Sequence, residues 1–156
     1  MTSDGFRYVI GIDPGLNGGI AVLGMSGVLV DVVKMPSTPY DIYEYLKGYG
    51  VGAVCYMELV GQGMPNQSSK ATATFARHCG HLDMALLSLG IPTRTVTPSK
   101  WEKSYGLGSS KGVGKTEWKN RLKSRAQQLF PWVGVTLATS DALLIAEYGR
   151  RQEKGQ

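Results

Sequence analysis

Apolar residues in this chain come in short runs whose spacing changes from stretch to stretch. Positions 8–13, 18–23 and 28–35 are rich in Val, Ile and Leu, and the turn-forming stretches Pro14-Gly15-Leu16-Asn17 and Gly24-Met25-Ser26-Gly27 separate them. That layout predicts three β-strands. Parallel neighbours need a long crossover, so strands joined this closely form an antiparallel meander. Residues 39–47 read as a short helix, capped by Ser37 or Thr38 and stopped by Gly48-Tyr49-Gly50. A fourth strand is expected over 53–60 and a polar loop over 61–69. Over 70–89, Phe75, Cys79, Leu82 and Leu86 share one helical stripe, which Gly90 and Pro92 end. A short strand at 93–96, one or two helical turns at 98–105, a mobile glycine-rich stretch at 106–114 and helices over 115–130 and 140–151 complete the chain. This order predicts one α/β domain over 1–156, with a meander on one side of its sheet and crossover-connected strands on the other.

Composition narrows the class. A chain of 156 residues buries a core without disulfides or structural metal. No apolar run approaches the ~20 residues of a membrane helix. Met1 to Arg7 lacks the basic-then-apolar layout of a signal peptide, and the two cysteines, Cys55 and Cys79, read as small core residues in a reducing compartment. The expected location is the cytoplasm of a bacterial or phage-infected cell.

Charge points to a polyanionic partner. The net charge is +5, and residues 100–125 carry eight basic side chains against two acidic ones, so the excess is concentrated there. Such a segment suits phosphate neutralisation, and equally a solvated helix face.

Three carboxylates stand where chemistry is possible. Asp13 ends an apolar strand beside a tight Pro-Gly turn, a place to hold a cation against an approaching phosphate or simply to start the turn. Glu58 interrupts an apolar strand, where an ionised group has to be paired or bind metal. Asp141 begins Asp-Ala-Leu-Leu-Ile-Ala-Glu, whose small and apolar residues press a helix onto a sheet; Ser140 and Asp141 also suit a helix N-terminus. If the fourth strand pairs beside the first, the three meet, and their oxygen ligands suit Mg²⁺ or Mn²⁺.

The run Ile10-Gly11-Ile12-Asp13-Pro14-Gly15 through Gly19-Ile20-Ala21, then Tyr56-Met57-Glu58, then Ser140-Asp141-Ala142-Leu143-Leu144-Ile145-Ala146, resembles the RuvC-like Holliday junction resolvases. Val96-Thr97-Pro98-Ser99-Lys100-Trp101 and Leu129-Phe130-Pro131 resemble their phage and organellar branch. The resemblance implies an RNase H-like fold, a mixed five-stranded sheet flanked by helices. It also implies a homodimer that nicks opposing strands of a four-way DNA junction, with Asp13, Glu58 and Asp141 as ligands of Mg²⁺ or Mn²⁺, two ions per site. A lysine preceding the last acidic motif is implied too, with Lys115 or, by position, Lys111 in that role. DNA contacts are expected from Lys100, Lys103, Lys111, Lys115, Lys119, Arg121 and Lys123, and from Gln62, Met64 and Asn66 if the loop after Glu58 reaches the junction centre as in such resolvases and is not an ordinary polar connector.

One departure stands out: the family carries a further Asp or His three or four residues before its last acid, where this chain has Leu137 and Ala138. Water, Thr139, Ser140 or Glu147 are the candidate replacements. Phe75, Trp101 and Tyr105 can stack on unpaired bases, although Phe75 suits the core better. Gly114-Lys115-Thr116 imitates a phosphate-binding loop, but that motif needs glycine at 109, where Ser109 stands. His78, Cys79 and His81 lack the partners of a zinc set and read as surface or interface residues. The Asp-Pro-Gly turn also resembles the phosphate loop of sugar kinases and actin-like ATPases, which need two such domains. The helix over 70–89 is the expected dimer face.

Overall fold

A computed structural model describes residues 5–61 and 66–156. Five strands, β1 (Tyr8–Asp13), β2 (Gly19–Gly24), β3 (Leu29–Lys34), β4 (Ala53–Glu58) and β5 (Thr93–Val96), form one sheet in the order β3-β2-β1-β4-β5. β3, β2 and β1 are antiparallel neighbours, whereas β1–β4 and β4–β5 are parallel. The expected mixed sheet is therefore present, and the fourth strand lies beside the first.

Helices cover both faces, which is why β1 and β4 read as continuous apolar runs instead of alternating ones. Ile10, Ile12, Cys55 and Met57 face α1 (Pro39–Lys47) and α2 (Ser69–Ser88) through Ile42, Leu46, Leu82 and Leu86. Val9, Val54 and Tyr56 face α3 (Pro98–Lys103), α4 (Lys115–Leu129) and α5 (Leu137–Glu153), through Trp101, Leu122 and the 142–146 stretch. Alternation along a strand puts Asp13 on the same face as Val9, and Glu58 on the same face as Val54 and Tyr56. Both carboxylates thus point toward α5.

α5 lies unusually close to the sheet. A Cβ built on Gly11 would sit 2.3 Å from the Ala142 carbonyl oxygen and 2.7 Å from the Ala146 Cβ; one on Gly19 would sit 2.6 Å from the Ala138 oxygen. Glycine opposite alanine permits this approach, and it carries Asp141 down to the strand ends.

Several boundaries differ from expectation. β4 ends at Glu58, because the following Leu59 leaves the strand with its N–H donated to Val96. α5 begins at Leu137, where Thr136 and Thr139 form a reciprocal cap, so Asp141 stands in the second turn and not at the helix start. The buried stripe of α2 is His78, Leu82, Ala85 and Leu86; Phe75 and Cys79 are half-buried beside it. The glycine-rich stretch between α3 and α4 is anchored by Leu107 and Val113, which pack against the core.

Candidate active site

Asp13 closes β1 and Glu58 closes β4 on adjacent parallel strands, one residue beyond the registered pair Ile12–Met57. Asp141 descends onto them from α5. Each is half-buried, and each is held well above the ordinary carboxylate range. Burial pushes Asp13 up to about 8, and repulsion from Asp141 and Glu58 adds to it, against the opposing pull of Lys119. Burial likewise raises Glu58 to about 7, with Asp141 and Glu102 adding and the Trp101 hydrogen bond opposing. Asp141 rises to about 6 through burial and then Glu102, while Lys119 and Ser140 draw it down.

Trp101 fixes one of the three: its indole N–H donates to Glu58 Oε2 at 2.7 Å, from a ring that is fully buried. No hydrogen bond reaches the Asp13 carboxylate among the described residues. Nor are any three His, Cys, Asp or Glu side chains among them drawn tightly enough to hold an ion as they stand. The donor set nevertheless fits a hard divalent cation: crowded carboxylates, raised by burial and mutual repulsion, are the groups that such an ion relieves.

A cavity of about 710 Å³ opens over the β1–β2 turn and is lined by Asp13, Asp141, Ser140, Lys119, Phe75 and Lys70, among others. A second, of about 430 Å³, holds Glu58, Thr72, Cys79 and Asp83. Pro14, Gln67 and Phe75 border both, so Phe75 forms part of the wall between the Asp13–Asp141 side and the Glu58 side.

The lysine drawn into this arrangement is Lys119. Lys115 is the first residue of α4, exposed and off the cavity, and Lys111 is exposed in the preceding loop. Lys119, one turn further along α4 from Lys115, lines the cavity and acts on both aspartates. The helical spacing from Lys115 was the signal that could have found it.

Other expected contacts sort out by burial. Trp101 and Tyr105 lie in the core, Tyr105 donating its hydroxyl to the Leu144 carbonyl, so neither is available to stack on a base. Phe75 belongs to neither core cluster and borders both cavities instead. Lys100 and Lys103 are exposed on α3, Arg121 is paired with Glu117 at 2.7 Å, and Lys123 is half-buried. Asn66 is exposed with a φ of 72°, while Gln62 and Met64 lie outside the described residues.

Of the candidate replacements for the missing ligand, Glu147 is turned away, held by Arg150 at 2.7 Å and Arg151 at 2.9 Å. The Thr139 hydroxyl is taken by the helix cap. Ser140 lines the cavity, as does Leu137, which is 54 % exposed. His78, expected at the surface or an interface, is buried and also lines the cavity.

No protein-family model matches the sequence, and no curated protein matches it. Solved structures do resemble the fold. The Thermus thermophilus RuvC structure superposes with a TM-score of 0.66 at 17 % identity, covering 95 % of this chain and 96 % of that one. T. thermophilus RuvC in complex with a Holliday junction substrate gives 0.68 at 17 % identity, with the same coverage.

Proposed function

We propose that this RuvC-like domain is a structure-selective endonuclease that resolves four-way DNA junctions by metal-dependent phosphodiester hydrolysis, as a homodimer placing paired nicks in opposing strands. The observation that carries the reading is the meeting of Asp13, Glu58 and Asp141, from two strands and a helix, at one end of the sheet beside Lys119. That the similar RuvC structure was solved with a Holliday junction supports the choice of substrate.

Asp13, Glu58 and Asp141 would hold Mg²⁺ or Mn²⁺, two ions per site, and such ions supply an activated water and stabilise the leaving oxygen. The protein's own contributions are distinct. Trp101 orients the Glu58 carboxylate. Lys119, facing the cavity, offsets negative charge that builds on the phosphoryl oxygens. Lys100, Lys103, Lys111, Lys115, Arg121 and Lys123 grip backbone phosphates outside the cavity, with Gln62, Met64 and Asn66 contacting the junction. Phe75 packs against a base near the cut.

The test is cleavage of labelled four-way junction, linear duplex and RNA–DNA hybrid with Mg²⁺ or Mn²⁺. Symmetric junction nicks that Glu58→Gln abolishes support the resolvase; preferential cutting of hybrid would make the protein a ribonuclease H-like enzyme instead. A second reading, a junction-binding protein with weak or no catalysis, is favoured by one observation: exposed Leu137 borders the cavity where the family carries a further ligand. Tight junction binding without metal-dependent nicking would establish it.

A further inference from the structure

His78 is a polar group in an apolar position. It heads the buried stripe of α2, whose other members are Leu82, Ala85 and Leu86. The residue is 6 % exposed, and its Nε2 is buried with no hydrogen-bond partner. Leaving such a nitrogen unpaired costs stability that an aliphatic side chain at the same stripe position would not. Burial, and then His81, hold the imidazole below its ordinary range, which favours the neutral ring.

The same ring lines the cavity of Asp13 and Asp141, and it does not do so alone. Lys70, Thr74 and His78 recur at every fourth residue of α2 and all three border that cavity. Residues at this spacing stand one above another on a helix, so α2 presents the cavity with a row of an ammonium, a hydroxyl and an imidazole. Lys70 and Thr74 are exposed and His78 is buried, so the row runs inward from solvent. Lys119 contributes a second cation to the cavity from α4. With the charge of Asp13 and Asp141 in the same cavity offset by the divalent ions they would hold, two cations and two neutral hydrogen-bonding groups suit an anionic backbone better than a nucleobase.

Building on the resolvase reading, we propose that Lys70, Thr74 and His78 form a track for the sugar–phosphate backbone of the strand entering the cavity, with His78 Nε2–H donating to a phosphate oxygen next to the cut. Nε2 is covered in the unbound chain, so this donation requires the ring to turn about its Cβ–Cγ bond toward the cavity that it lines. The vacant hydrogen bond is then filled by substrate, so the site keeps a locally unfavourable contact that binding relieves.

His78→Leu and His78→Gln test the assignment, with thermal melts and with junction binding measured in EDTA, where nothing is cut. His78→Leu is expected to melt no lower than wild type yet to bind the junction about tenfold more weakly, and His78→Gln, which keeps an N–H near the same place, to recover most of that loss. Replacing the phosphate next to the cut by an uncharged methylphosphonate should weaken wild type and leave His78→Leu little changed, the mark of a direct contact. Wild-type affinity in His78→Leu would overturn the track and leave the resolvase reading intact. So would a joint loss of melting temperature and affinity with no coupling to the methylphosphonate, which is what a packing role gives. Failure of wild type itself to bind junctions would remove the resolvase reading and the track with it.

Discussion

Asp13 bears most of the electrostatic cost of the site. Its carboxyl lies at about 8 in the folded chain against an ordinary 3.8. A carboxyl raised in the folded state contributes stability that is complete below about pH 4 and is lost as pH rises toward 8. The metal-free protein is therefore expected to melt progressively lower from pH 4 to pH 8. Asp13→Asn should abolish nicking while raising the melting temperature at pH 8 by ~2–4 °C or more, the shift that about 1 kcal/mol produces in a chain of this size. The same substitution should change little at pH 4, and Mg²⁺ should narrow the gap at pH 8; melts in EDTA and in Mg²⁺ measure both. Trp101 acts by a different route, as the hydrogen-bond donor that counters the rise of Glu58. Trp101→Phe is expected to keep the fold and weaken metal binding about tenfold, read by calorimetric titration with Mn²⁺. The three carboxylates stood out in the sequence because Asp13 ends an apolar run, Glu58 interrupts one and Asp141 begins one. Lys119 did not, since it is one of a row of basic residues and only its position one helical turn beyond Lys115 sets it apart.

Between elements, the decisive contact is α5 on β1. Gly11→Ala would drive a methyl group into the Ala142 carbonyl, lift the helix and move Asp141 away from Asp13. The expected loss is ~1–3 kcal/mol of stability, with nicking reduced further than the melt alone explains. Gly80, on α2, has open space around its Cβ position, and Gly80→Ala should instead stabilise by up to ~1 kcal/mol. Paired denaturation curves separate the two. Strands and most helices were legible because burial on both faces gives unbroken apolar runs, and because Thr38 and Ser68 cap in the usual way. The start of α5 was not legible. Its reciprocal cap uses Thr139 where Glu or Gln usually signals one, and apolar Leu137 and Ala138 open the helix. The phase of α2 was misjudged for a related reason: apolar Phe75 and Cys79 lie off the buried stripe, and polar His78 lies on it.

For the molecule as a whole, the basic excess and the cavity have to act on one ligand. Lys119 lies where they meet, on α4 and lining the cavity, where its charge acts on both aspartates. Lys119→Ala is expected to lower the cutting rate at saturating junction more than Lys115→Ala does, while either lowers the salt dependence of binding by roughly 0.9 in log–log slope. Single-turnover kinetics and binding titrations across salt concentrations check this. The antiparallel meander followed from connection lengths, whereas the pairing of β4 beside β1 stood only as a condition for the carboxylates to meet, and the order β3-β2-β1-β4-β5 meets that condition. The wall that Phe75 forms between two cavities was not, because it depends on how α2 packs over the sheet end.

The parallel pairing of β1 with β4 also bears on when the three carboxylates are brought together. Asp13 leaves the ribosome early, but its neighbour Glu58 joins it only after α1 has formed the crossover, and Asp141 only after α5 docks on Gly11. Contacts this distant along the chain form late in folding. An unfinished chain therefore holds the three carboxylates apart, and the proposed cutting site exists only once α5 has closed onto the central strand.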